Sequence, residues 1–227
     1  MQPITDRPIV ITGASSGVGR DLCARLAARG HAVLGLARRP ADLPGVEPVA
    51  ADLADPPAAA AALTAALAGR RPLALVNNAA VFTRCDAADH DPADAARLVT
   101  VNLLGTMAMT RTCLPAMLAA GGGRILFIAS VAGLRGIPGQ SAYCASKWGM
   151  LGYAEALGQE VQAQGVIIAC LCPGGIDTPL WDATPYPGDR SRLLSVAEVS
   201  DAALFLLDRS PGTTCKRLVL FPDNEWH

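Results

Sequence analysis

No apolar run in the sequence approaches the about 18 residues that a membrane-spanning helix needs. Neither sign of charge is in excess: 19 Lys and Arg stand against 20 Asp and Glu. The first absence argues against a membrane span. The second removes the electrostatic case for a nucleic-acid or anionic-membrane partner. Histidine is scarce, and His31, His90 and His227 lie too far apart to suggest a ligand cluster. The seven cysteines include no CxxC pair. Cys170 and Cys172, two apart in an apolar run, would share one strand face and read as small core residues of a reduced compartment rather than a redox or metal pair. The segment Met1–Pro8 is polar and carries acid and base, so it does not read as a secretory leader, and a cytoplasmic protein is expected. There is also no Ser/Gly-rich linker, charge block or repeat. What is plentiful is apolar material: 51% of the 227 residues, with a mean hydropathy of +0.31. That is enough for a large core, and the length favours one domain spanning 1–227.

Short apolar runs alternate with longer helical stretches. Strands are expected at Ile9–Thr12, Ala32–Ala37, Leu73–Asn77, Arg124–Ala129, Val166–Leu171 and Arg217–Phe221, with a weaker one at Val46–Ala50. Most are continuously apolar, which suits strands covered on both faces of a parallel sheet. Helices are expected at Val18–Arg29, Pro57–Leu67, Pro92–Ala119 (interrupted or bent at Pro115), Ala142–Gln164 and Val196–Asp208. This alternation predicts an α/β protein: one doubly wound Rossmann-type domain, about seven parallel strands with helices on both faces. The least regular stretch, 178–195, reads as a short substrate loop.

The first strand runs into Thr12-Gly13-Ala14-Ser15-Ser16-Gly17-Val18-Gly19, after which a helix begins. Glycine permits positive φ and close backbone approach, and a helix N-terminus offers free N–H groups to a pyrophosphate. The spacing is G-x-x-x-G-x-G rather than the usual dinucleotide fingerprint. The same residues also match G-x-S-x-G, the nucleophile elbow of α/β-hydrolases. That reading needs an earlier strand–loop for the oxyanion hole and a well-placed late His, and the chain provides neither. Where a Rossmann-type fold places an acid for the ribose 2′-OH of NAD, the second strand ends in Ala37-Arg38-Arg39. Guanidinium groups bind phosphate bidentately, so NADP(H) is expected in preference to NAD(H). Asp52 and Leu53, after the next strand, are candidates to face the adenine, although Asp52 would also serve as a cap for the following helix.

Tyr143 and Lys147 are spaced i, i+4 and share one helix face. A free phenol titrates near about 10, and an adjacent ammonium favours its ionised form, which would tune it as a proton donor or acceptor. Ser130 ends the preceding strand, at the sheet edge where α/β proteins bind ligands. Asn102 stands among apolar neighbours and should be buried with partners.

Five blocks in order now resemble the short-chain dehydrogenase/reductase family, in its compact single-domain branch. They are Thr12–Gly19; Asn77-Asn78-Ala79-Ala80; Asn102; Ser130 with Tyr143 and Lys147; and Pro173-Gly174-Gly175-Ile176-Asp177-Thr178. The resemblance implies hydride transfer between a nicotinamide and a ketone or secondary alcohol. Tyr143 would be the general acid/base, and Lys147 would lower its pKa and hold the nicotinamide ribose. Ser130 would orient the carbonyl, and Asn102 would anchor a proton-relay water. The cofactor would contact Gly13, Ser15, Ser16, Gly17, Val18, Gly19, Asn78, Ala79, Ala80, Pro173 and Gly174, with Ile176 and Thr178 at its carboxamide end. Ala80 departs from the family's Asn-Asn-Ala-Gly, a change that tightens the cleft by one methyl. The resemblance further implies a homotetramer or homodimer. A regulatory binder of NADP(H) without turnover would be expected to lack Tyr143 or Lys147. An epimerase or dehydratase would want a different glycine spacing and a longer substrate domain. The substrate wall is expected from Val131, Leu134, Gln140, Trp148, Trp181 and Tyr186, favouring a neutral, moderately apolar ketone. Arg135 is the one cation suggested for an anion.

Overall fold

The computed structural model describes residues 7–40, 42–182, 184, 186, 188–210 and 212–223. The leader assessment of Met1–Asp6 and the position of His227 lie outside the described residues. Seven strands form one parallel sheet: β1 (Ile9–Thr12), β2 (Val33–Ala37), β3 (Val46–Ala50), β4 (Ala74–Asn77), β5 (Gly123–Ile128), β6 (Val166–Pro173) and β7 (Arg217–Leu220). Their order is β3-β2-β1-β4-β5-β6-β7. The order reverses between β1 and β4, and that is where doubly wound sheets open a crevice at the strand C-termini.

The period of two along each strand divides the core. On one face Ile9, Ile11, Val76, Leu126 and Leu171 pack with helix α1 (Gly17–Ala28) and with the helix Val196–Leu207. On the other, Val10, Leu75, Ile125, Phe127, Cys170 and Cys172 pack with α2 (Pro56–Leu67) and with the helices Thr106–Ala119 and Ser141–Val161. Numbering in chain order, the remaining helices are α3 (Pro92–Val99), α4 (Thr106–Ala119), α5 (Ser141–Val161) and α6 (Val196–Leu207). Continuous burial of β1, β2 and β4 follows from this double cover. β3 is a full strand on the sheet edge, where only Val49 is buried and Pro48 is tolerated.

The stretch expected as one helix over Pro92–Ala119 is not broken at Pro115, which sits inside α4. Its irregularity lies at Thr100–Gly105, a π-helical turn between α3 and α4 that carries Asn102. Such a turn adds a residue to the helical circuit and re-aims the side chains on it. The loop after β6 is drawn together at its ends: Ile176 bridges Leu194, Asp177 N donates to Leu194 O at 2.9 Å, and Leu194 N donates to Gly175 O at 2.9 Å. Between them lie two short 3₁₀ turns, Pro179–Trp181 and Arg190–Arg192.

Candidate active site

A cleft of about 1150 Å³ opens along the C-terminal ends of the strands. At its base, β1 passes into α1 through Gly13, at φ +72°, and Gly17, at φ +52°, both in the left-handed region that favours glycine. A methyl on Gly19 would run into the Gly13 carbonyl and the Asn78 amide. The turn is clamped to the end of β4. The Thr12 hydroxyl accepts from Asn78 N (3.0 Å) and Ala79 N (2.9 Å), and Asn78 Nδ2 donates to Thr12 O at 2.9 Å. Ser16 precedes α1 without a side-chain cap, and the first turn holds no acid. The helix N-terminus therefore keeps free N–H groups and an uncompensated partial positive charge beside Ser15, Ser16, Gly17 and Val18, all of which line the cleft. This donor-rich turn, with glycine at its closest approaches, fits a pyrophosphate.

Arg38 and Arg39 follow β2, are exposed, and line the same cleft, with no acid beside them on that strand end. Asp52 and Leu53 line it after β3. The cap of α2 is not Asp52 but Asp55, whose carboxylate accepts from Ala58 N at 3.1 Å. Asp55 stands directly before Pro56, the residue that opens the helix, so the cap register falls three residues later than Asp52. Asp52 instead accepts from Ala54 N at 2.9 Å.

At the other end, β5 delivers Ser130 and α5 delivers Tyr143 and Lys147 to one point of the cleft. The Ser130 Oγ accepts from Ala132 N at 3.1 Å and is bonded to the Tyr143 phenol. Lys147 Nζ donates to Ile128 O, the last residue of β5, at 3.0 Å, and lies 5.7 Å from the centre of the Tyr143 ring. Spacing alone led us to expect the ammonium to draw the phenol down. In the structure burial dominates and pushes Tyr143 up to about 12, with the Ser130 hydroxyl acting against it. The same burial pushes Lys147 down to about 8. Both groups are driven toward their neutral forms because each has been taken out of water, and the amine faces a backbone carbonyl rather than a carboxylate.

Asn102 is fully buried and does not line the cleft. Its Oδ1 accepts from Val81 N (2.8 Å), and its Nδ2 donates to Val81 O (2.9 Å) and to Ser146 Oγ (3.1 Å). It thereby ties the chain leaving β4 to α5. We expect Asn102→Ala to lower unfolding stability by about 1–3 kcal/mol through the unpaired Val81 groups, measured by urea denaturation. An unchanged midpoint would show that water replaces the amide without loss.

The remaining cofactor candidates, Asn78, Ala79, Ala80, Pro173, Gly174, Ile176 and Thr178, all line the cleft. Ala80 is accommodated without positive φ. Of the expected substrate wall, Val131, Gln140, Trp181, Tyr186 and Arg135 are there. Leu134 is not; it packs into the core beneath α5. Trp148 is not either: it is 53% exposed on the outside of α5, because a residue one position beyond Lys147 is rotated about 100° around the helix. The sequence reading did not single out Phe82, Thr83, Arg84, Asp94, Arg97 or Ile137, which also line the cleft. Phe82 meets Tyr143 edge-to-face at 4.9 Å and Trp181 at 4.9 Å, and Trp181 meets Tyr186 at 4.9 Å. This aromatic chain forms an apolar wall beside the phenol. Asp94 receives Arg97 and His90, each at 3.3 Å. Among the described residues no cluster could hold a metal ion, and no helix is long and apolar enough to cross a membrane.

Comparison with known proteins agrees with this geometry. A family model described as short chain dehydrogenase matches residues 7–186. The chain is 36% identical over 189 residues to a 2-dehydro-3-deoxy-L-rhamnonate dehydrogenase (NAD(+)) of Sphingomonas sp. (strain SKA58), covering 79% of this chain and 76% of that one. It is 33% identical over 199 residues to nodulation protein G of Rhizobium sp. (strain N33), covering 80% and 78%. Among solved structures, a protein of Beutenbergia cavernae with bound NADP at low occupancy superposes with a TM-score of 0.86 at 31% identity, over 98% of this chain and 97% of that one. A 3-ketoacyl-(acyl-carrier-protein) reductase of Brucella melitensis complexed with NADH superposes with a TM-score of 0.83 at 27% identity, over 96% and 98%.

Proposed function

This chain belongs to the short-chain dehydrogenase/reductase family of nicotinamide-dependent oxidoreductases, and on that premise we propose that it reduces a ketone to a secondary alcohol with NADPH. The observation that carries the reading is the buried Tyr143–Ser130 pair, with Lys147 beneath it, on the floor of a cleft whose far end presents Arg38 and Arg39.

The chemistry a nicotinamide would supply when held in this cleft is a hydride for the carbonyl carbon. The chain supplies the rest. The Ser130 hydroxyl and the Tyr143 phenol converge on the carbonyl oxygen and hold it in place, which removes orientational freedom from the barrier. Burial keeps Tyr143 protonated at neutral pH, so it stands ready as the proton donor that the nascent alkoxide requires. Once the proton has left, the Lys147 ammonium stabilises the remaining phenolate; a pKa of about 8 leaves it mostly charged at pH 7. Asn102 acts one layer back as a positioning residue, holding Val81 and so the course of the Asn78–Val81 segment along the cleft. The Phe82–Trp181–Tyr186 wall keeps water from the reacting atoms. Gly13 through Gly19 would cradle the pyrophosphate, and Asp52 and Leu53 the adenine. Asn78, Ala79 and Ala80 would run along the cofactor, and Pro173, Gly174, Ile176 and Thr178 would border the carboxamide.

Preference for NADPH rests on Arg38 and Arg39. No acid on that strand end would repel a 2′-phosphate, and two forked cations are free to bind it. The Sphingomonas relative is named for NAD(+), so this part of the reading belongs to the present chain's own residues. Fluorescence titration of the wild type should favour NADPH over NADH. Arg38→Asp should weaken NADPH by about ten- to hundredfold, the value of one charge-assisted contact, and leave NADH within about threefold. A wild type that prefers NADH, or equal losses in the variant, would overturn the cofactor assignment and leave the Tyr143 chemistry standing.

We further read the chain as one domain with its substrate loop at 178–195, assembled as a homodimer or homotetramer. Leu104 and Trp148, exposed on the helical layer that holds Asn102 and Tyr143, support the assembly as apolar surface for a second copy to cover.

A further inference from the structure

The charge of the cleft does not match that of the chain. The chain carries a net −1, yet the cleft is lined by Arg38, Arg39, Arg84, Arg97, Arg135 and Lys147 against only Asp52 and Asp94 among the described residues. Arg38 and Arg39 stand at the adenosine end, and Lys147 is bonded beneath Tyr143. The other three cleft-lining cations, Arg84, Arg97 and Arg135, stand on segments that pack against the neighbours of Tyr143. Arg84 lies two residues past Phe82, which touches the phenol ring, and its side chain rests on Gly139 just ahead of α5. Arg97 adjoins Leu98, which packs in one cluster with Phe82 and Tyr143. The carbonyl of Arg135 accepts from the thiol of Cys144, the neighbour of Tyr143, at 3.8 Å.

The acids nearby are already engaged. Asp94 is taken by Arg97 and His90, with Thr83 also bonded to it. Asp177 and Asp182, in the loop that borders the cleft, are taken by Arg190 at 2.6 and 3.4 Å. Arg135 has none of them. Its guanidinium lies over the Phe221 ring at 5.5 Å, and the residue lines the cleft. Its Nε is sealed from solvent and has no hydrogen-bond partner. The charge of Arg135 is permanent, and among the described residues no acid pairs with it, so an anion entering the cleft would be its counter-charge. We propose that Arg135, in a cleft also lined by Arg84 and Arg97, selects an oxo substrate carrying a carboxylate. The proposal rests on the ketone-reductase reading and specifies the substrate of that site. It replaces the neutral, moderately apolar ketone expected from the sequence, which left Arg84 and Arg97 out of the wall.

The test uses linear oxo acids with the ketone two to five carbons from the carboxylate, each paired with its methyl ester, and follows NADPH consumption and the melting temperature in the presence of NADP+. For at least one spacing the acid should exceed its ester in kcat/KM by more than about tenfold. Arg135→Gln should abolish that preference, lowering kcat/KM for the acid by about tenfold more than for its ester, because the charge-assisted contact is made only by the acid. Acid and ester turned over alike by the wild type, or slowed alike by Arg135→Gln, would overturn the proposal and leave the reductase reading intact. If no compound is reduced, the melting temperature decides. An acid-dependent rise that is absent with the esters and lost in Arg135→Gln would uphold the anion site and count against the reductase reading. No such rise would overturn the anion site.

Discussion

Tyr143→Phe should lower kcat for ketone reduction by about 10³-fold or more, the upper part of the range for removing a positioned general acid, while NADPH binding stays within about threefold of wild type. The phenylalanine ring keeps what the tyrosine ring packs against: Phe82 edge-to-face at 4.9 Å, and Leu98, Ala132 and Cys144 in the same buried cluster. Only the hydroxyl goes, together with its bond to Ser130. Removing one uncharged hydrogen bond of this kind costs about 1 kcal/mol of stability, too little to unfold the protein. The cofactor cradle at Gly13–Gly19 is built from β1, α1 and the Thr12–Asn78 clamp, none of which rests on that hydroxyl. Stopped-flow single turnovers with the best ketone would separate chemistry from product release, and a parallel fluorescence titration would report binding. Wild-type-like turnover would remove Tyr143 from the mechanism and with it the proposed proton path. A loss of NADPH binding as large as the loss of rate would mean that the hydroxyl holds the cofactor rather than the substrate.

The parts of the molecule that the sequence reveals are those in which local pattern and tertiary role coincide. β1, β2, β4 and β6 are buried on both faces, so apart from Thr12 and Asn77 at strand ends their residues are apolar and stand out in the chain. β3 is faint because an edge strand buries little, and Val46-Glu47-Pro48-Val49-Ala50 has few apolar residues to show. The Gly13–Gly19 turn is legible because the constraint on it is steric and local. Arg84 and Arg97 are a different matter. Nothing in Thr83-Arg84-Cys85 or Ala96-Arg97-Leu98 distinguishes a cleft-lining guanidinium from a solvated one. They reach the cleft only because Asn102 ties the segment at Val81 inward and α3 packs against α5. The π turn is equally invisible: Thr100–Gly105 continues the helical apolar pattern, and the extra residue shows only in which carbonyl each N–H reaches. A signal for Phe82 did exist, since it is a large aromatic four residues beyond Asn78. A wall residue for the site would have been sought there had the segment after β4 been read as lining rather than as connection.

Lys147→Met should likewise abolish measurable reduction, yet it should leave the cofactor-free protein more stable at neutral pH than the wild type. Lys147 is 1% exposed, its one hydrogen bond among the described residues is to the Ile128 carbonyl, and burial lowers its pKa from 10.5 to about 8. A lowered lysine pKa means that the folded state holds the proton less tightly than the unfolded state does. Below pH 8 both states are charged and folding carries the full cost of burying the ammonium, about 3 kcal/mol for a shift of that size. Between about pH 8 and 10.5 the folded protein sheds the proton while the unfolded chain keeps it, so stability rises with pH. Above that window the cost is gone. Methionine fills a similar volume with no charge and loses only the bond to Ile128, about 1 kcal/mol. The net gain at pH 7 is then about 2 kcal/mol, a rise of about 4–8 °C in Tm for a chain of this length. The gain should shrink toward zero by pH 9.5, measured as urea midpoints of both proteins at the two values. Destabilisation at pH 7 would show that the fold satisfies the ammonium and that Lys147 is a structural residue. A gain at pH 7 joined to lost turnover would place Lys147 among groups whose charge is held at a cost to the fold and kept for the chemistry.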